Sequence, residues 1–127
     1  MNEKTIGLFI IALMILGSLP NVEGSSSGKI AIVYDVGGRG DLSFNDMVYL
    51  GALKAAKDFN LELVELQSNS EDDYYQNLET LAKQRQYLVI IAGFMMTDAV
   101  KRVAQEYPNQ RFVIIDGYDP EMPTTYR

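Results

Sequence analysis

The chain has 127 residues and a formal net charge of −6, from 17 acidic and 11 basic side chains. This acidic balance argues against nucleic acid as a partner, because neutralising phosphates requires clustered Lys and Arg. The sequence contains neither cysteine nor histidine, which excludes disulfides, Ser-His and Cys-His nucleophiles and His-ligated metals within these residues.

The amino-terminal segment has the pattern of a secretory signal. An uninterrupted apolar run over residues 6–16 is followed by Gly, Ser and Pro, and a candidate cleavage site lies after Gly24. A retained membrane anchor is the alternative, but the run is shorter than the about 20 residues that a membrane span needs. We predict a signal peptide over 1–24, a flexible leader over 25–28 and an exported, surface- or membrane-associated protein without a lipid-attachment cysteine.

The first predicted strand, residues 29–34, is the short apolar run KIAIVY, typical of a parallel strand buried on both faces. Asp35 therefore lies at the carboxyl end of this strand. The following loop contains Gly37, Gly38 and Gly40, which permit a sharp turn and let a ligand approach main-chain N–H groups. Its spacing lacks both the G-x-G-x-x-G pattern and the Lys-Ser/Thr pair of phosphate loops, so the pattern is weak as a phosphate site.

A helix is predicted directly after this loop. Ser43 is the expected N-cap, and Asp46 takes the acidic position of a capping box three residues later. Phe44 and Asn45 then occupy the first turn, at the mouth of the strand-loop-helix unit, where open α/β sheets bind their ligands. Taken singly these residues favour a structural role, with Phe44 packed under the helix as a staple; their combination favours a binding site.

The rest of the chain alternates between helical and strand patterns. The predicted helices span about residues 44–59 and 72–86, with a third running from a Thr97 cap to Tyr107; the remaining strands span about 61–66, 88–92 and 111–115. Four apolar strands separated by three amphipathic helices indicate βαβ units. We therefore predict an α/β fold with a parallel sheet, helices on both faces and the flavodoxin-like strand order 2-1-3-4.

Right-handed crossovers bring all the strand-end loops of such a sheet to one rim. This rim combines the hydrogen-bond acceptors of Asp35, Asn45 and Asp116 with the apolar ring of Phe44. A neutral, polyhydroxylated ligand with a flat ring suits that set, because carboxylates accept from its O–H or N–H groups while Phe stacks on the ring.

Two points stay open from the residues alone. Asp35 with Asp41 or Asp116 could instead hold Mg²⁺, which accepts carboxylate oxygens. Met95 and Met96 could line the pocket or fill the core.

Four blocks of the sequence resemble the basic membrane protein family of substrate-binding lipoproteins: KIAIVYDVGGRGDLSFND, GALKAA, IIAGFMMTDAV and FVIIDG. Those proteins are solute receptors of ABC importers with a type I periplasmic-binding-protein fold, and characterised members bind purine nucleosides. The resemblance runs from Lys29 to Asp119, and the D-x-G-G-x-x-D-x-S-F-N-D block is its most specific part.

The resemblance also implies the site residues. It implies that Phe44 stacks on the purine base, that Asn45 and Asp116 hydrogen-bond the ligand, and that Asp35 lies at the same site. The further pocket-lining residues that it implies are Gly93, through its backbone, and Phe94, through its side chain. No catalytic residue, metal or cofactor is predicted.

Members of this family have two lobes that close around the ligand and signal to a permease. Residues 29–117 are predicted to form the amino-terminal lobe, and 118–127, with two prolines and no periodic apolar pattern, to begin the hinge and crossover to a second lobe. The expected function is the lobe of an extracytoplasmic receptor that binds purine nucleosides for an ABC permease. Exposed cleft and hinge edges further predict self-association.

Two other functions remain as alternatives. The same fold could receive a sugar or an autoinducer-like ligand, and Phe44 would then matter little for affinity. A Mg²⁺-dependent flavodoxin-like enzyme would instead depend on Asp35 and Asp116 at the strand ends.

Overall fold

The computed structural model describes residues 28–119. The predicted signal peptide, all of the predicted leader except Gly28, and residues 120–127 of the predicted crossover lie outside the described residues, so these assignments remain predictions. Within the described part of the chain, no helix is long and apolar enough to cross a membrane.

Strands and helices alternate along the chain, as the apolar periodicity predicts. The strands are β1 (Lys29–Tyr34), β2 (Glu62–Gln67), β3 (Leu88–Ala92) and β4 (Phe112–Ile115). The helices are α1 (Phe44–Asp58), α2 (Asp73–Lys83) and α3 (Thr97–Glu106), with a 3₁₀ turn, Phe94–Met96, directly before α3. The largest difference from the predicted bounds is at the end of α2, where Arg85 turns the chain with a φ of +55°.

All strand pairs are parallel, and the strands lie in the order β2-β1-β3-β4. The predicted α/β fold and strand order are confirmed. The chain moves to one side of β1 to form β2 and to the other side to form β3. The loops after β1 and β3 therefore leave the carboxyl edge of the sheet at the point where the strand order reverses.

Two apolar layers hold the helices on opposite faces of the sheet, because alternate residues of a strand point to opposite faces. Ile30 and Ile32 of β1 belong to the layer with α1, whereas Ala31 and Val33 belong to the layer with α2 and α3. The other buried residues of the α1 layer are Tyr34, Val48, Ala52, Ala56, Ile90 and Ala92. The other layer includes Leu78, Leu81, Met96, Val100, Val103, Phe112 and Ile114.

Ser43 occupies the predicted N-cap position of α1, but another side chain caps the helix. The Ser43 side chain makes no capping hydrogen bond. Asp41 takes this role, because its carboxylate accepts from the N–H groups of Ser43, Asn45 and Asp46 at 2.9, 2.9 and 3.2 Å. A carboxylate with two oxygens reaches more of the free N–H groups of a first turn than one hydroxyl does.

The predicted capping box and the predicted Thr97 cap are wrong. The Asp46 carboxylate turns back to the loop and accepts from the N–H groups of Gly40 and Leu42. The Thr97 hydroxyl donates to the Phe94 carbonyl at 2.6 Å, and Met96 holds the N-cap position of α3 without a side-chain bond. The intervening 3₁₀ turn uses the threonine as a donor and shifts the helix start.

Candidate functional site

Three strand ends meet on the rim because of the register of the sheet. Tyr34 of β1 pairs with Ala92 of β3, and Ala92 pairs with Ile115 of β4. The residues that follow these three leave the sheet side by side, at the same edge. They are Asp35, Gly93 and Asp116, three of the predicted site residues.

Asp35 lies directly against Gly93. A Cβ atom at position 93 would be 2.9 Å from Asp35 Oδ2, and Gly93 has a φ of +111°. Both conditions favour glycine, which has no side chain to strain or collide. The Gly93 N–H also donates to the Ile115 carbonyl at 3.2 Å, which ties this turn to β4.

Asn45 is the buried polar residue of the site, with only 3% of its surface exposed. Its Nδ2 donates to Asp35 Oδ1 at 3.1 Å and to the Gly38 carbonyl at 2.9 Å. Asp35 Oδ1 also accepts from the Gly37 N–H at 3.0 Å. The first turn of α1 and the glycine loop are thus joined through one amide group.

Two carboxylates hold the loop between β1 and α1. The hydrogen bonds from Asn45 and Ser43 N–H groups lower the pKa of Asp41 below its usual value of 3.8, and the Gly40 N–H does the same for Asp46. Both acids are therefore held in the ionised form that accepts these bonds. These bonds tie the two carboxylates to the main chain of the loop.

Arg39 connects this loop to β2 and α1. Its Nε lies 3.0 Å from Asp46 Oδ1, its guanidinium bonds Glu65 Oε2 at 2.8 Å, and its plane stacks on Tyr49 at 3.4 Å from the ring centre. Glu65 also accepts from the Tyr34 hydroxyl at 2.7 Å. Burial, and then the bond to Glu65, raise the pKa of Tyr34 above its ordinary value, which keeps it as a donor.

Apolar side chains near the strand ends are partly exposed. Phe44, the first residue of α1, is 37% exposed, and Phe94 in the 3₁₀ turn is 64% exposed. Phe44 is therefore not fully packed as a staple under its helix. Met95 is partly exposed, whereas Met96 is buried in the layer under α2 and α3, so Met96 fills the core.

Asp116 projects from the end of β4 and is exposed, with a left-handed φ of +63°. Asp tolerates this conformation better than most residues, although glycine adopts it at lower cost. Asp116 and Asp35 follow strands separated by β3 in the sheet. Asp41, the other carboxylate considered for Mg²⁺, uses both oxygens on main-chain N–H groups.

Two clefts on the surface are not lined by Asp35, Phe44 or Asp116, although one of them borders the glycine loop. A cleft of about 680 Å³ lies on the β2 side of the loop and is lined by Arg39, Glu65 and Gln67 among others. Another, of about 610 Å³, lies at the amino ends of the strands. Neither is lined by Phe44 or Asp116. In residues 28–119, no group of three or more Asp or Glu side chains is arranged to hold a metal ion.

The sequence reasoning missed several residues that support the loop. Arg39, Tyr49 and Glu65 lie far apart in the chain, and no local pattern predicts their contacts. Gln67 was also missed; its Nε2 donates to the Asp35 carbonyl at 2.7 Å. The role of Asp41 had a local signal, because an Asp side chain in a loop often accepts from the main-chain N–H two residues later, as in an Asx turn.

Curated relatives resemble nearly the whole chain. An uncharacterized lipoprotein of Pyrococcus furiosus is 39% identical over 123 residues, which cover 92% of this chain and 31% of the relative. The nucleoside-binding protein BmpA of an ABC transporter of Lactococcus lactis is 32% identical over 131 residues, which cover 92% of this chain and 37% of that protein. The chain therefore spans less than two-fifths of the length of these relatives.

Solved structures share the fold. A solute-binding protein of an ABC transporter system from Aeropyrum pernix has a TM-score of 0.68 and 35% identity, covering 73% of this chain and 25% of that one. A fragment of a lipoprotein from Peptoclostridium difficile has a TM-score of 0.71 at 22% identity and covers 78% of this chain and 81% of its own. At 22% identity, the similarity to the Peptoclostridium difficile fragment shows a shared fold only.

Residues 29–124 match the family model described as ABC transporter substrate-binding protein PnrA-like. This match includes the strand ends, the glycine loop and the first turn of α1, and it agrees with the family resemblance drawn from the sequence blocks. The chain belongs to the Bmp family of PnrA-like ABC transporter substrate-binding proteins.

Proposed function

We propose that this chain forms one wall of a receptor site for purine nucleosides. The observation that carries the proposal is the partly exposed Phe44 ring on the same rim as Asp35 and Asp116. An aromatic ring stacks on a base, and carboxylates accept hydrogen bonds from ribose hydroxyls or ring N–H groups. The printed name of the Lactococcus lactis relative, a nucleoside-binding protein, supports the same class of ligand.

The proposed ligand contacts are those that the family resemblance implies. Phe44 stacks on the purine, Asp35, Asn45 and Asp116 hydrogen-bond the ligand, and Gly93 and Phe94 border it. Binding is non-catalytic. The ligand is released to an ABC permease after two lobes close around it and reopen, and the receptor acts outside the cytoplasm at the membrane, as expected for a relative of named lipoproteins.

Affinity of the chain alone for a nucleoside is expected to be weak. The chain spans about a third of its relatives, and in a two-lobed receptor the second wall supplies the remaining contacts and excludes water. The test therefore needs a method that detects weak binding, such as shifts of ¹H–¹⁵N amide signals on titration.

The first prediction concerns Phe44→Ala. Loss of base stacking should weaken binding of inosine by about 1–3 kcal/mol. The measurement is the amide-shift titration of the chain with inosine, adenosine, ribose and MgCl₂. Phe59→Ala is the matched control, because Phe59 is an exposed phenylalanine just after the other end of α1.

Other outcomes would favour the alternatives. A response to sugars that is unaffected by Phe44→Ala would indicate a sugar receptor on the same fold. If MgCl₂ shifts the amide signals of Asp35 and Asp116 and nucleosides shift none, the magnesium-dependent enzyme would be favoured.

A further inference from the structure

The strands begin at the end of the domain opposite the rim, and basic and aromatic side chains lie together there. The Tyr87 N–H donates to the Lys29 carbonyl at 2.7 Å, and the Val89 N–H donates to the Arg111 carbonyl at 3.0 Å, which aligns the starts of three strands. A cleft of about 610 Å³ at this end is lined by Lys29, Arg85, Tyr87 and Arg111 among others.

Helix α1 ends at the same end of the domain. After α1 the chain turns at Asn60 and enters β2, whose first residue, Glu62, pairs with Lys29. Lys57, in the last turn of α1, and Phe59, directly after the helix, are both exposed. We use the name amino pole for the surface formed by the exposed side chains of Lys57, Phe59, Arg85, Tyr87 and Arg111.

The basic side chains of the amino pole have no acidic partner. Within residues 28–119, Lys57, Arg85 and Arg111 take part in no ion pair. Arg111 stacks on Tyr87 at 4.0 Å from the ring centre and donates from Nε to the Tyr87 carbonyl at 2.8 Å. The acidic side chains nearby are neutralised in the pairs Asp58–Lys54, Glu62–Lys29 and Glu106–Arg102.

This surface is basic although the chain has a formal net charge of −6. Positive charge is therefore segregated from the acidic rim at the other end of the strands. Lys57 has an ordinary explanation, because a basic residue in the last turn complements the helix dipole. Arg85 and Arg111 lie outside the helices, so their presence needs another one.

Arg85 occupies a backbone position that favours other residues. It follows the C-cap of α2 with a φ of +55°, a conformation that glycine or asparagine usually supplies at a helix end. The turn after α1 does have asparagine, Asn60, with a φ of +53°. Arginine is a costlier choice for such a backbone, so its exposed cationic side chain is the feature that distinguishes it here.

We propose that the amino pole docks on the anionic headgroups of a membrane surface. Basic side chains are attracted by the negative surface potential of a membrane, and exposed aromatic rings reside at headgroup level. The amino pole combines three unpaired cations with the rings of Phe59 and Tyr87, which are 68% and 49% exposed.

Two observations favour a membrane over a soluble anion. β1 starts at the amino pole and is the first strand after the apolar run of residues 6–16. The Pyrococcus furiosus relative is named as a lipoprotein. The inference is independent of the ligand proposed for the rim, because the amino pole contains no residue of that site.

The test compares binding of the chain to phosphatidylcholine vesicles with and without about one-third phosphatidylglycerol, measured by co-sedimentation. The readout is the ratio of the two partition coefficients, because insertion of the apolar run would contribute to both. An acidic chain without a basic surface should be repelled by the anionic vesicles. We expect instead a preference of about tenfold or more at low salt, which falls towards one in about 0.5 M NaCl as salt screens the surface potential.

Two substitutions assign the effect to the amino pole. Arg85→Gly and Arg111→Gln should each lower the ratio about fivefold, the effect expected for one cation at a membrane surface. Arg85→Gly should at the same time leave the free energy of unfolding unchanged or higher, because glycine adopts the left-handed conformation at lower cost. A loss of binding without a loss of stability separates docking from a structural role.

Lys101→Gln is the charge-matched control. It also removes one positive charge, but from α3 on the side of the rim, where Lys101 pairs with Asp119 at 3.0 Å. The ratio should change less than twofold. A ratio of one or below for the unsubstituted chain, or equal decreases for Lys101→Gln and Arg85→Gly, would overturn the proposal. Release from the anionic vesicles by millimolar inorganic phosphate at constant ionic strength would do so too, because the cleft would then be a site for a soluble anion.

Discussion

Residues at the strand ends adopt backbone conformations that most side chains avoid. Gly93 has a φ of +111° and Asp116 a φ of +63°. Such conformations cost of order 1–3 kcal/mol for residues other than glycine, and they persist where the surrounding structure holds them. Here the hydrogen bond from Gly93 to Ile115 and the close approach of Asp35 hold the turn.

Gly93→Ala should therefore lower the free energy of unfolding by about 1–3 kcal/mol, because a methyl group would meet Asp35 Oδ2 at 2.9 Å in a left-handed conformation. Urea denaturation measures the change. Gly51→Ala is the control: it lies inside α1 with nothing within 4 Å of an added Cβ and should instead stabilise by about 0.5–1 kcal/mol. Equal effects of the two substitutions would show that Asp35 does not crowd position 93.

The connection between β1 and α1 is held by charged side chains rather than by apolar packing. Asp41 and Asp46 accept main-chain N–H groups, and Arg39 links Asp46 to Glu65 on β2. These bonds orient the first turn of α1, which carries Phe44 and Asn45. The position of this turn therefore depends on ionised carboxylates.

Acid should loosen this connection. The pKa of Asp41 is lower in the folded chain than its usual 3.8, because of bonds from the Asn45 and Ser43 N–H groups. A carboxyl group with a lowered folded pKa stabilises the fold above its unfolded pKa and loses that contribution as pH falls through the folded value. We expect the free energy of unfolding to fall below pH about 4.

Chemical denaturation at several pH values between 2 and 6 checks this expectation. Asp41→Asn should flatten the fall, since the asparagine cannot titrate, and should leave the chain less stable at pH 6. Asp58→Asn, at the far end of α1, serves as the comparison. A pH profile that Asp41→Asn leaves unaltered would contradict the role given to this carboxylate.

At the scale of the whole molecule, the two edges of the sheet differ. The β2 edge carries the charged Glu62 and Glu65, both in ion pairs. The β4 edge has the sequence FVII, and in residues 28–119 it pairs only with β3. Exposed apolar edge strands are templates for pairing with a second chain, whereas charged ones are not.

We therefore predict that the chain self-associates through β4. Sedimentation velocity should show a concentration-dependent shift towards a dimer or larger species. Ile115→Lys should suppress this shift, because Ile115 is 36% exposed and a charge on the edge disfavours pairing. A clean monomer at high concentration, with or without this substitution, would contradict the prediction.

The fold was predictable because its signals are local and repeated. Burial is indicated directly by the apolar runs KIAIVY and LVIIA and by the 3.6-residue spacing of apolar residues in the helices. The predicted strand order was the common order of flavodoxin-like sheets, and the right-handed crossovers placed the strand-end loops on one rim. The ends of the helices were less predictable. The side chains of Asp41, Asp46 and Thr97 each lie near several main-chain groups, and the conformation of the folded loop determines which of these groups they bond.

The sequence by itself determined the α/β class, the parallel order of the strands, the rim on which Asp35, Gly93 and Asp116 lie, and the family resemblance that the comparisons bear out. Only the tertiary structure decided which side chains hold the rim together. Arg39 meets Glu65 across 26 positions of sequence, and Asn45 turns its amide inward to Asp35. The physical reason is that burial requires apolar residues at regular spacings, which can be recognised in the sequence. Hydrogen-bond partners that are distant in the sequence come within reach only after the sheet has formed.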